Sequence, residues 1–484
     1  MHPSPMSEAY DAVVIGSGPN GLAAAVHLAR AGRSVHVIEG HARIGGGTRT
    51  DELTLPGFFH DVCSAIHPMG VASPFLKTLP LEEFGLEWIH PEVPLAHPLD
   101  GGDAVVLHRS LDETADAFDA SSAKMYRRVF APLLGKFEET LTDLLAPPLR
   151  VPRDPLAVMR FGLRALPSTL ASARAWFGDE KARALLAGNA AHAVVPLDRP
   201  LAPNAIGLML MLAGHACGWP VAKGGSGRVS GALTAYLESL GGSIETGRRI
   251  ARMEELPRAK AYLFDTSPSA LAGIAGECLP ASYRRRLLAF RHAPGIFKID
   301  YALDGPVPWT AEECRGAGTV HLGGSLDEIV ISEREVHRGI HPERPFVLAA
   351  QQSVCDESRA PAGKHTFWAY CHVPSGSTVD MSSAIERQIE RFAPGFRDRI
   401  LARHTMNCAD YERYNPNLLG GDIVGGASDW RQLLARPVVA AHPHRTPDPA
   451  IFLCSASTPP GGGVHGMCGY RAAQEAMRGV LAKT

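Results

Sequence analysis

The chain carries almost no net charge: 48 Lys+Arg stand against 50 Asp+Glu, a formal −2. That balance lacks the basic excess of a nucleic-acid binder. No apolar run reaches the roughly 18 residues of a membrane-spanning helix, so none is expected. Residues 1–16 hold no charged segment ahead of their first apolar run, which argues against a secretory signal and for a cytoplasmic chain. The nine cysteines are odd in number and none stands in C-x-x-C spacing, which excludes a zinc knuckle or a thioredoxin-type pair. Isolated thiols in a reducing compartment are the reading. Histidine is plentiful at 21, yet no H-E-x-x-H or similar ligand spacing occurs, so no metal site is expected. Hydrophobic content of 45% over 484 residues fits an ordered globular chain of several structural units.

Against these absences one stretch is sharply defined. Tyr10 to Ile15 is a β-branched run that fits a buried parallel strand. It leads into Gly16-Ser17-Gly18-Pro19-Asn20-Gly21, a complete G-x-G-x-x-G, followed by a helical stretch that Gly32 closes. Ser34 to Ile38 reads as a second strand ending on Glu39. The first glycine permits the tight turn, the second lets a pyrophosphate approach the backbone, and the third allows close helix–strand contact. The helix start offers free N–H groups to the phosphates, and Glu39 can accept hydrogen bonds from a ribose diol. Strand, loop, helix, strand and acid in that order predict a dinucleotide site.

A second glycine loop follows at once: Gly40, Arg43, Gly45, Gly46, Gly47, Thr48 and Arg49. Its glycines let another backbone segment pass beside the pyrophosphate, and the two arginines can offset phosphate charge. An NAD-only Rossmann unit has no use for this loop. The E-x-x-x-R-x-G-G arrangement resembles the FAD signature of the glutathione-reductase-type flavoproteins. Near the other end, Ser457-Thr458-Pro459-Pro460-Gly461-Gly462-Gly463-Val464 resembles the C-terminal motif of phytoene-desaturase-like FAD oxidoreductases. Pro459 stands where many carotenoid desaturases have His. Residues 60–68, 218–226 and 415–423 are similar to the phytoene dehydrogenase-related branch, which includes the pyridine nucleotide-disulphide oxidoreductase domain-containing protein 2 group.

This resemblance implies an α/β fold: a glutathione-reductase-type FAD-binding Rossmann domain, discontinuous in sequence, with an inserted α+β substrate domain. The expected cofactor unit is 1–75, 211–290 and 420–484; the expected substrate unit is 76–210 and 291–419, of which 76–210 reads as Pro-rich and helical. It implies FAD contacts from the first loop (Gly16, Ser17, Gly18, Pro19, Asn20, Gly21), from Glu39 and the second loop, and from Ile250, Ser455, Gly463, Val464 and His465. The Gly461–Met467 stretch should bring backbone N–H groups to the flavin. His465, beside it, is one acid/base candidate; His60 and His67, flanking Asp61, are others, with structural hydrogen bonding the alternative for each. Lys298 and Asp300 share a strand face and read as an ion pair. Asp422, in a glycine-rich turn, either touches the cofactor or braces the turn. Lys223 to Gly227 is the nearest approach to a second nucleotide fingerprint, without a β-branched strand before it.

The implied activity is removal of a hydride from a C–H bond of an apolar or partly apolar small molecule, with oxygen, a quinone or a diffusible carrier as acceptor. Alternatives are a non-redox double-bond isomerase using reduced FAD and a non-enzymatic, FAD-stabilised interaction protein. Residues 124–174 hold nine Lys/Arg and four Asp/Glu interleaved with apolar side chains. They read either as a peripheral membrane contact or as a packed cap helix with solvated charges.

Overall fold

The computed structural model describes residues 10–146, 151–429, 431–432 and 435–482. Its first layer is a five-stranded parallel sheet in the order Ile451–Leu453, Ala259–Phe264, Tyr10–Ile15, Val35–Ile38, Ser243–Glu245. The strand Tyr10–Ile15 lies at the centre, with Val13 opposite His36 on one side and Tyr262 on the other. Its side chains alternate between two cores. Ala12 and Val14 join one with the helix Pro19–Arg30, whereas Val13 and Ile15 join another with Leu271, Leu279 and Leu287. Burial on both faces is why Ala12 to Ile15 are all apolar.

The helix Pro19–Arg30 begins with proline at its first turn, where no N–H is needed, and stops at Gly32, whose φ of +74° favours glycine. The helix Met467–Arg478 packs on it so closely that a Cβ on Gly469 would lie 1.7 Å from the Asn20 carbonyl oxygen. The C-terminal segment is thereby fixed against the glycine fingerprint.

The second layer is a seven-stranded sheet in the order Ile400–Met406, Gly295–Leu303, His365–Val373, Val347–Ala350, Ala317–Leu322, Val93–Leu99, Asp103–Leu107. All its pairs are antiparallel except Val93–Leu99 with Ala317–Leu322. The helical expectation for 76–210 is corrected here, because Val93–Leu99 and Asp103–Leu107 are strands of this sheet. Pro94 and Pro98 obscured the first of them, since proline cannot donate to a ladder. Helices Glu180–Ala191 and Ala202–Cys217 belong to the core on one face, and Ser382–Phe392 to the core on the other.

Between Phe137–Leu144 and Pro155–Ala165 the helical cap is interrupted as its prolines predict; Pro147 and Pro148 lie outside the described residues. The Lys223–Gly227 stretch follows a two-residue strand, Val221–Ala222, which pairs with Trp88–Ile89 outside the parallel sheet. All nine cysteines are free. Among the described residues, no helix is long and apolar enough to cross a membrane and no group of His, Cys, Asp or Glu is arranged to hold a metal ion.

Candidate functional site

The carboxyl ends of the central strands carry the site. The sharp turn after Ile15 uses Gly16 at φ +103°, and the loop crosses above Asp265, the residue that follows the strand Ala259–Phe264. There is no room for side chains here. A Cβ on Gly21 would stand 2.1 Å from the Gly16 carbonyl oxygen, and one on Gly18 would stand 2.6 Å from Asp265 Oδ2. Gly21 N donates to that Oδ2 at 2.9 Å, so Asp265 supplies the acceptor that Gly18, at the helix cap, cannot. Burial pushes the Asp265 carboxyl up to about 7, against the Gly21 N–H and assisted by the Glu39 charge.

Glu39 closes the other side of the loop. Its Oε2 accepts from Ser17 N at 2.8 Å and Ser17 Oγ at 2.7 Å, and its Oε1 accepts from His41 N at 2.8 Å. Hydrogen bonds to an ionised acceptor contribute about 1.5–3 kcal/mol each. Arg49 Nη2 lies 3.5 Å from the same carboxylate.

The second glycine loop folds back onto the first. Gly45 N donates to the Ser17 carbonyl at 3.1 Å, and a Cβ on Gly46 would press within 3.0 Å of Gly18 Cα. Thr48 Oγ1 donates to the Gly45 carbonyl. Arg49 Nε donates to the Arg43 and Ile44 carbonyls, its guanidinium lies 5.2 Å from the Tyr414 ring centroid, and its Nη1 is buried with no partner. Arg43 is more exposed and pairs with Asp51. Gly247 and Arg248 donate to the carbonyls of His41 and Glu39, which sets Ile250, in the core of the far face, just beyond Gly40. A glycine cradle, a ribose-reach carboxylate and an orphaned arginine N–H form a donor set that fits a dinucleotide.

The C-terminal motif reaches this cradle through Gly466, where a Cβ would lie 2.8 Å from that of Ala23. Gly463 has φ +119°, and Ser455 Oγ bonds Ser457 Oγ at 2.7 Å. His465 Nδ1 accepts from Met467 N at 3.0 Å, and its carbonyl accepts from Ser73 Oγ. Burial pushes its imidazole down to about 4, so it is neutral at pH 7.

The other histidine candidates each bond a neighbouring hydroxyl. His60 Nε2 bonds Thr54 Oγ1 at 2.8 Å, and its Nδ1 lies 3.6 Å from Asp300 Oδ1. His67 Nε2 bonds Ser226 Oγ at 2.8 Å, and its Nδ1 is buried without a partner. Burial lowers both to about 4. Asp61 turns instead to Arg359, 2.8 Å away, in a fully buried pair. Lys298 grips both oxygens of Asp300, at 2.6 and 2.7 Å, and donates to the Asp61 carbonyl, which ties the sheet to the segment after the second glycine loop. Asp422 braces its turn: Oδ1 accepts from Val424 N and Gly425 N, and Oδ2 from Ala293 N.

Two residues of the cradle escaped the sequence reading. Asp265 follows an apolar stretch, Ala261 to Phe264, and ligands bind at carboxyl ends of parallel strands. Tyr414, whose hydroxyl donates to the Gly46 carbonyl at 3.0 Å, had no local signal, since it comes from a distant helix.

Residues 14–79 match the profile of an NAD(P)-binding Rossmann-like domain. The chain is 27% identical to pyridine nucleotide-disulfide oxidoreductase domain-containing protein 2 of Rattus norvegicus, over 97% of this chain and 93% of that protein. It is 25% identical to a phytoene dehydrogenase of Streptomyces griseus, over 81% of this chain and 77% of that one. The chain is homologous to these proteins. Putrescine oxidase, in its structure with putrescine, superimposes with a TM-score of 0.65 at 17% identity, covering 97% of this chain and 99% of that one. The fold is therefore that of putrescine oxidase, with a Rossmann-like layer and a second sheet.

Proposed function

We propose that this chain is an FAD-dependent oxidoreductase that takes a hydride from a C–H bond of an apolar or partly apolar small molecule. Oxygen, a quinone or a diffusible carrier then regenerates it. The observation that carries the reading is the double glycine cradle with Glu39 on one side and the unpartnered Arg49 Nη1 on the other. Kinship with phytoene dehydrogenase supports it.

FAD, when bound, supplies the hydride acceptor. The chain's own residues hold and insulate it. Glycine backbone of the first loop and the start of the helix Pro19–Arg30 take the pyrophosphate; Glu39 takes the ribose; Arg49 offsets phosphate charge. Gly463, Val464 and the start of the helix Met467–Arg478 stabilise negative charge on the ring. His465, neutral and tied to Met467 N, orients that loop. We assign 1–75, 211–290 and 420–484 to the cofactor unit and 76–210 with 291–419 to the substrate unit, with the helix Ala202–Cys217 bridging the 210/211 join. The distribution of strands between the two sheets supports this division.

The reading extends to a membrane surface. On and beside the helix Pro155–Ala165, Val151, Leu156, Met159, Leu163 and Leu166 are all at least half exposed, interleaved with Arg153, Arg160 and Arg164. An exposed apolar stripe among arginines matches an anionic bilayer surface, from which an apolar substrate would enter.

The test is anaerobic photoreduction of the purified, FAD-loaded protein followed by oxygen or a quinone. Rapid reoxidation by one of them, with substrate turnover in a screen of that acceptor, is expected. Reduced flavin that resists every acceptor while a substrate's double bond moves would replace this reading with an isomerase.

A further inference from the structure

One face of the seven-stranded sheet carries polar side chains in an otherwise apolar interior. On the strand His365–Val373, Tyr370 and His372 share that face, with ring centroids 5.9 Å apart. Lys298, directly opposite Tyr370, is already saturated by Asp300. Tyr370 makes no hydrogen bond among the described residues, although it is largely enclosed and only partly accessible. His372 Nδ1 donates to the buried Glu333 carboxylate at 2.9 Å, and its Nε2 is buried with no partner.

His192 adds a third group. Its Nε2 lies 3.0 Å from His321 Nε2, and the Phe346 ring joins the two sides, its centroid 5.5 Å from that of His321 and 6.4 Å from that of His372. Burial pushes His192 down to about 3 and lowers His321 as well, so both rings are neutral and one must donate to the other. His321 Nδ1 is buried without a partner, facing the Cα of Gly188. A buried lone pair there costs less than a buried N–H, which puts the hydrogens on His321 Nε2 and on His192 Nδ1. His192 Nδ1–H has no hydrogen-bond partner among the described residues, and the ring is partly accessible.

Of these groups His372 Nε2 is fully buried without a partner, at a cost of about 1–3 kcal/mol if nothing completes it, while Tyr370 and His192 are partly accessible and free to meet a ligand. They also stand beside the cofactor cradle. Tyr370 packs against the same small apolar clusters as Cys63 and Ile66, and Ser64 N, between these two in the chain, donates to the Gly47 carbonyl at 3.0 Å. A separate cleft of ≈ 710 Å³ is lined by Val194, Pro374 and His337, which neighbour His192, His372 and Glu333 along the chain.

We infer that Tyr370, His372 and His192 form the polar wall of the substrate chamber and bind a neutral oxygen function, a hydroxyl or carbonyl, on an otherwise apolar substrate. A carboxylate is excluded because Glu333 would repel it and Lys298 is committed to Asp300. A pure hydrocarbon would leave all three groups unsatisfied. The inference rests on the oxidoreductase reading only for what happens after binding.

The experiment is calorimetric titration of the FAD-loaded protein with cyclohexanol, cyclohexanone, methylcyclohexane and cyclohexanecarboxylate, with the flavin difference spectrum recorded in parallel. Cyclohexanol or cyclohexanone should bind at least tenfold more tightly than the other two and perturb the flavin bands. Tyr370→Phe removes a hydroxyl that makes no hydrogen bond among the described residues, so it should leave thermal stability unchanged and weaken binding about five- to tenfold. His372→Gln should weaken binding as much. Equal binding of the hydrocarbon or carboxylate, or no change in either variant, would overturn the inference. Titration of the protein without FAD separates the two claims: alcohol binding there, with no flavin uptake, retains the chamber and discards the oxidoreductase.

Discussion

Asp265 Oδ2 accepts the Gly21 N–H at 2.9 Å, joining residues 244 positions apart in the chain at the centre of the glycine cradle. A carboxylate here competes with an anionic phosphate for the same helix N-terminus, so its protonation state sets how well the cradle receives a cofactor. The groups that face it are Glu39, Cys454 and Cys468, none of them cationic.

Asp265 therefore makes both stability and cofactor affinity depend on pH. Its folded pKa of about 7 is raised from 3.8, so its contribution is complete below about 4 and is lost as pH rises through 7. FAD affinity of the apoprotein should fall from pH 6 to pH 8. Asp265→Asn keeps an acceptor for Gly21 N and removes the titration, so its affinity should be flat over that interval. Fluorescence titration with FAD at several pH values measures this; parallel slopes for the two proteins would disprove it.

Gly21 and Gly32 separate crowding from backbone strain. Gly21→Ala places a methyl 2.1 Å from the Gly16 carbonyl oxygen, so the loop must open and FAD uptake should be lost. Gly32→Ala meets nothing within 4 Å but must adopt φ +74°, and should cost only about 1 kcal/mol with FAD uptake intact. Thermal melts and flavin-to-protein ratios distinguish these outcomes.

Much of this cradle was legible in the sequence because it is local: strand, glycine loop, helix and acid occupy thirty residues, and each glycine has a steric reason. The Lys298–Asp300 pair was also legible, since alternate residues of a strand share a face. The partners that come from afar were not. Tyr414 and Asp265 reach the loop by tertiary packing, and nothing in the sequence relates His192, at the end of the helix Glu180–Ala191, to the strand that carries Tyr370 and His372. Val93–Leu99 was missed because two prolines contradicted its strand pattern.

The buried pair Asp61–Arg359 links the segment after the second glycine loop to the turn Glu357–Arg359, ahead of the strand His365–Val373. Arg359→Met strands a carboxylate that burial alone would raise and that Arg359 holds below its usual range. It should cost about 3–5 kcal/mol, and Asp61→Asn in the same chain should restore part of that. Denaturant unfolding of the single and double variants checks this; an additive second loss would contradict it.

Membrane contact through the helix Pro155–Ala165 predicts salt-sensitive sedimentation with vesicles of phosphatidylcholine and phosphatidylglycerol. Leu156→Ser with Leu163→Ser should abolish it without lowering the melting temperature, since both side chains are more than half exposed. Binding unaffected by the pair would rule out this surface.

The most direct measurement is the visible spectrum of the purified chain and of its Gly21→Ala variant. The account predicts a flavin band near about 450 nm, one FAD per wild-type chain after reconstitution, and a colourless variant that still folds. A wild-type chain that takes up no FAD, or a Gly21→Ala variant that holds it equally well, would contradict the assignment of this cradle.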